Sequence, residues 1–137
     1  MKHRIVLDTN CFVSSLSRQG EYYVVWQSIL IGTTTLCVTT EILLEYREIL
    51  EQQLTVSIAE NVITVLLNLT NVELISPTYR FDLIKNDPDD NKFVDCAIVS
   101  NAKYIVSNDK HFKELLIIDF PKVNVISLVN FVKLLSK

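Results

Sequence analysis

Short, unbroken apolar runs alternate with stretches of helical period along this sequence, and few folds accept that pattern. The runs fall at residues 4–7, 35–38, 72–75, 104–106 and 123–126, and helical spacing predicts helices over 11–17, 22–31, 40–53, 57–68, 91–101, 110–115 and 128–135. Continuous apolarity, in place of alternation, implies strands covered on both faces. Strands interleaved with helices imply a mainly parallel sheet between helical layers, so the expected fold class is α/β, a three-layer α/β/α sandwich. With two glycines and three prolines, polar residues make the breaks, as at Thr39-Thr40 and at Asn86-Asp87-Pro88-Asp89-Asp90. A length of 137 residues, 49% of them apolar, suits a single domain over 1–137.

Composition narrows the function classes. The apolar runs fall short of the roughly 20 residues needed to span a bilayer, and the first residues lead straight into Ile5-Val6-Leu7, so neither a membrane span nor a signal peptide is expected. Cys11, Cys37 and Cys96 sit singly in apolar stretches without zinc-ligand spacing. They are expected to be reduced core residues of a cytoplasmic protein. A net charge of −3 argues against nucleic-acid binding through a broad basic face. A bound divalent ion would change that sum locally.

Ligands of an open parallel sheet bind outside the carboxyl ends of its strands, which directs attention to the acids found there. Asp8 directly follows the first apolar run, and Asp109 follows the fourth after Ser107 and Asn108. Either alone reads first as a turn former or helix N-cap; two in matching positions suggest a shared site. On the wheel of residues 40–53 the apolar face centres on Leu43, Tyr46 and Ile49. Glu45 lies at its margin, with Glu41, Glu48 and Gln52 on the solvent side. Asp87, Asp89 and Asp90 crowd one helix start, where capping needs a single acid. Asp90 lines up with the apolar stripe Phe93, Val94, Ala97, whereas Asp95 falls toward the polar edge.

Four segments then resemble a PIN domain in order and spacing: Ile5-Val6-Leu7-Asp8-Thr9-Asn10, the stretch from Glu41 to Leu50, Asp89-Asp90-Asn91-Lys92-Phe93-Val94-Asp95-Cys96-Ala97, and Tyr104-Ile105-Val106-Ser107-Asn108-Asp109. The likeness spans nearly the whole chain and is strongest to bacterial PIN proteins assigned as toxins of toxin–antitoxin pairs. It implies an acidic pocket of Asp8, Glu45, Asp90 and Asp109, with Asn10 and Ser107 as small polar neighbours. The third ligand stays open among Asp89, Asp90 and Asp95.

Hard carboxylate oxygens suit Mg²⁺ or Mn²⁺, and the lack of a Cys or His cluster argues against zinc. His3 and His111 are expected at the surface. The implied activity is metal-dependent hydrolysis of RNA, leaving 5′-phosphate and 3′-hydroxyl ends. Four neighbouring acids repel one another, which gives the metal a reason to be required. Lys92 and Lys110, with Lys103 and Lys113 nearby, are candidates for RNA phosphate contacts. The resemblance further implies a homodimer, for which the helix carrying Tyr22, Tyr23, Trp26, Ile29 and Leu30 is the candidate face, and an antitoxin partner. A haloacid-dehalogenase-type phosphotransferase needs a second acid where Asn10 stands. A receiver domain needs an aspartate at the end of the 72–75 strand. A catalytically inactive PIN-like module that binds RNA or protein is the remaining alternative.

Overall fold

The computed structural model describes residues 2–77, 79–85, 88–119 and 121–137. Five strands, β1 (His3–Leu7), β2 (Thr34–Val38), β3 (Val72–Leu74), β4 (Tyr104–Val106) and β5 (Val125–Ile126), form one sheet in the order β3-β2-β1-β4-β5, every pair parallel. Ile5, Val6 and Leu7 of the central strand are all fully buried. Successive strand residues point to opposite faces, so helices must cover both sides, as the unbroken apolar runs predicted. The helices are α1 (Thr9–Ser15), α2 (Tyr23–Ile31), α3 (Thr40–Gln53), α4 (Val56–Asn68), α5 (Asn91–Ser100) and α6 (Leu128–Leu135). Among the described residues none is long and apolar enough to cross a membrane.

Polar side chains cap α3, α4 and α6 as expected from their types, whereas Tyr22 before α2 and Asp90 before α5 make no side-chain cap bond. Thr39 accepts from Ile42 N–H at 3.1 Å to cap α3, Thr55 from Ile58 N–H at 3.0 Å to cap α4, and Ser127 from Asn130 N–H at 3.1 Å to cap α6. The expected 110–115 helix is a 3-10 helix, Lys110–Ile117. The expected 123–126 strand shrinks to Val125–Ile126, because β5 finds partners only in Ile105 and Val106 of a three-residue neighbour.

The core explains where the large side chains of α2 go. Trp26 and Ile29 are buried, and Trp26 meets Phe12 edge-on at 6.0 Å. Phe12 in turn stacks on Tyr46 at 4.1 Å. The Tyr46 hydroxyl donates to the Leu7 carbonyl, which ties α3 to the last residue of β1. Cys11, Cys37 and Cys96 are all free and buried, and burial pushes the Cys96 thiol up to about 12.

This strand order reverses direction at β1: the chain runs on to β2 on one side and returns as β4 on the other. Such a switch point leaves a crevice at the carboxyl ends of the two diverging strands. Leu7 pairs with Val106 there, and Asp8 N–H donates to the Val106 carbonyl at 3.1 Å. Asp8 and Ser107 therefore leave the sheet side by side.

Candidate active site

Asp8 is only 7% exposed and uses both oxygens. Oδ1 accepts from Cys11 N–H at 2.8 Å, capping α1, and Oδ2 accepts from the Ser107 hydroxyl. Burial raises the Asp8 carboxyl above its ordinary range; these hydrogen bonds oppose the rise and the charge of Asp109 adds to it. The capping expectation and the shared-site expectation thus both describe this residue, since a carboxylate has about four acceptor positions.

Ser107 also links the two strand-end acids, because its oxygen accepts from Asp109 N–H at 3.0 Å while its hydroxyl goes to Asp8. Asp109 caps the 3-10 helix by accepting from His111 N–H at 2.9 Å. That turn brings the His111 ring back over the acids, with Nδ1 3.1 Å from Asp109 Oδ1 and 3.3 Å from Asp90 Oδ2. Asp90, Asp109 and His111 each offer an atom within 4.8 Å of the others. A cleft of about 200 Å³ opens beside Asp109, lined by Asp8, Asn10, Cys11, Ser14 and Asn108. Asn10 stands exposed at its edge.

Glu45 reaches this edge of the sheet from α3. The Thr9 hydroxyl donates to its Oε2, and Lys92 Nζ lies 2.8 Å from its Oε1. The donor set fits a divalent cation: carboxylate oxygens of Asp90 and Asp109 with the His111 imidazole nitrogen, and Asp8 tied to Asp109 through Ser107.

Three expectations need correction. Asp95 does not sit at a polar edge: it is buried, because residues 79–85 fold over that side of α5 and Phe81 N–H donates to Asp95 Oδ1 at 3.0 Å. Lys92 is not a surface cation. Its side chain is 9% exposed, and its ammonium also donates to the Asp89 carbonyl at 2.7 Å, so the charge goes to Glu45. His111 is not a solvated surface residue but lies between two acids. Lys103, Lys110 and Lys113 are exposed as expected, as is Asp89. Asp87 lies outside the described residues.

Thr9 and His111 went unrecognised in the sequence. Thr9 follows Asp8 directly, and the Asp-x-His spacing of Asp109 and His111 was a readable sign of an acid turning back on the residue two ahead.

Residues 4–111 match the family model of the PIN domain. This chain belongs to the PIN-domain family. The matched span contains the candidate residues Asp8, Glu45, Asp90 and Asp109, together with His111. Among solved structures the fold is similar to VapBC2 from Rickettsia felis bound to a DNA fragment from the promoter, at 17% identity and a TM-score of 0.63, covering 90% of this chain and 98% of that one. It is similar also to DNA-bound VapBC from Salmonella typhimurium, at 14% identity and a TM-score of 0.56, covering 92% and 98%. No curated protein matches this PIN domain in sequence.

Proposed function

We propose that this PIN domain is a divalent-metal-dependent ribonuclease, the toxin component of a toxin–antitoxin pair, with Asp8, Asp90 and Asp109 as metal ligands and Glu45 completing the acidic pocket. The observation that carries this reading is the hydrogen-bonded bridge from Asp8 through Ser107 to Asp109 at the topological switch point. That bridge gathers acids 101 positions apart where this fold class binds ligands. The fold shared with the VapBC structures supports the toxin role and an antitoxin partner.

Asp8, Asp90 and Asp109 would hold Mg²⁺ or Mn²⁺, which when bound would supply positive charge to the scissile phosphate and lower the pKa of a bound water. The chain's own residues set the geometry. Ser107 and Cys11 N–H hold Asp8 in one orientation, while the turn at Asp109 fixes that carboxylate against His111. Thr9 and Lys92 hold the Glu45 carboxylate in place. Lys110, exposed beside Asp109, is the residue we assign to a phosphate of the RNA. In-line attack by water leaves a 5′-phosphate and a 3′-hydroxyl.

Incubation of the purified protein with single-stranded RNA, with Mn²⁺ or with a chelator, tests the reading. Cleavage with Mn²⁺ that the chelator stops and Asp109→Asn abolishes is the expected result. The second reading, an inactive RNA- or protein-binding module, draws on Glu45, whose two oxygens are already engaged by Thr9 and Lys92. RNA bound but uncut under every metal condition would establish it. The homodimer implied by the family resemblance would form without Trp26 and Ile29, which the core takes; Val24, Leu30 and Ile31, the last 74% exposed, are the large apolar residues α2 leaves outside. Sedimentation at micromolar concentration decides between dimer and monomer.

A further inference from the structure

The His111 ring is held in place by more than its own helix. Its backbone is set by the Asp109 turn, and the next residue, Phe112, is buried against Phe93 at 6.5 Å between ring centroids. Phe93 lies one helical turn beyond Asp90. The packing of one phenylalanine on the other therefore sets the spacing between His111 and Asp90, and Asp109 sets the rest. The resulting 3.1 and 3.3 Å from Nδ1 to the two carboxylate oxygens come close to the roughly 3 Å between neighbouring ligand atoms on an octahedral ion with bonds of about 2.1 Å.

We infer that His111 Nδ1 is a nitrogen ligand of the divalent ion in this crevice, alongside Asp90 and Asp109, and that it tilts the site toward Mn²⁺ over Mg²⁺. The inference rests on the proposed metal-dependent reading and deepens it. Mg²⁺ takes oxygen donors and keeps its waters, whereas imidazole is a donor that first-row transition ions accept more readily. Ligation places the ring proton on Nε2 and leaves the Nδ1 lone pair facing the ion. The competing role for His111 is a protonated counter-charge to the two acids, displaced when the ion binds.

Pulsed electron paramagnetic resonance of the Mn²⁺-loaded protein separates the two, because a directly bound imidazole adds ¹⁴N modulation to the echo. The chain has two histidines, and His3 lies at the start of β1, the opposite edge of the sheet, so the signal is assignable. We expect ¹⁴N modulation in the wild type and in His3→Asn, and none in His111→Asp or His111→Asn. Calorimetry should show the Mn²⁺-over-Mg²⁺ affinity ratio falling about tenfold in His111→Asp, which keeps an oxygen ligand there. Bound Mn²⁺ in the wild type without ¹⁴N modulation overturns the inference, and if that protein still cleaves RNA the nuclease reading survives alone. Absence of Mn²⁺ binding to the wild type overturns both.

Discussion

Asp8 is buried with two hydrogen-bond donors aimed at it, so removing its charge alters shape little and chemistry greatly. Asp8→Asn should fold and lose Mn²⁺-stimulated RNA cleavage; retained cleavage by a folded variant would remove Asp8 from the ligand set. Stability should move the other way in chelator. The Asp8 pKa is raised in the fold, so the folded state binds this proton more tightly than the unfolded chain. That contribution is present in full below the ordinary carboxylate range and is lost as pH rises through the folded value. Metal-free Asp8→Asn should thus gain on the wild type in thermal melts as pH rises toward neutrality, and the gain should vanish in acid. The lysines test a different inference. Lys92 is paired with Glu45 and Lys110 is exposed, so Lys110→Ala should lower the salt slope of RNA binding by about 0.7, while Lys92→Ala leaves it unchanged. Asp8 and Asp109 were legible because strand ends announce themselves in sequence. The Thr9–Glu45 bond, the Lys92–Glu45 pair and the place of His111 were not, because each joins elements whose approach no local pattern encodes.

At the level of elements, α5 carries the residue that separates the two candidate acids. Asn91 accepts from Ile84 N–H at 2.8 Å and donates to the Ile84 carbonyl at 2.9 Å, while Asp95 holds Phe81 N–H. The two side chains clamp residues 79–85 along the helix. Hydrogen exchange should show the Ile84 amide losing protection in Asn91→Ala, at a cost of about 1–3 kcal/mol for the buried partners left unpaired. In Asp95→Ala the Phe81 amide should lose protection while Mn²⁺ affinity is kept. Asp90→Asn should show the converse, weaker Mn²⁺ and an unchanged clamp; if Asp95→Ala is the variant that loses the ion, Asp95 is the third ligand. Unbroken apolar runs placed the strands β1 to β5, and helical period placed α1 to α6, within a few residues, since both signals are local. The 79–85 segment has no period, and its docking on α5 was therefore invisible. That hidden contact is why Asp95, polar by its neighbours on the wheel, is buried in the fold.

For the whole molecule, the proposed ligands come from the ends of β1 and β4 and the start of α5, so an ion bound there would brace the centre of the sheet. At a free concentration 100 times its Kd, such an ion should add about 2.7 kcal/mol to unfolding stability, reversed by chelator and absent in Asp109→Asn. A melt indifferent to Mn²⁺ would mean that no ion bridges these elements. Net charge and composition argued against a broad basic face, but they carried no word on where the acids meet. The strand order has one more consequence, for synthesis. Of the strands in this sheet the central one is made first, and its partner β4 arrives about 100 residues later. At a ribosomal pace of 5–20 residues per second, Asp8 waits about 5–20 s for Ser107 and Asp109 to exist. A chain cut short before β4 carries half a crevice, so a cell translating this message meets the proposed activity only once synthesis has passed Asp109.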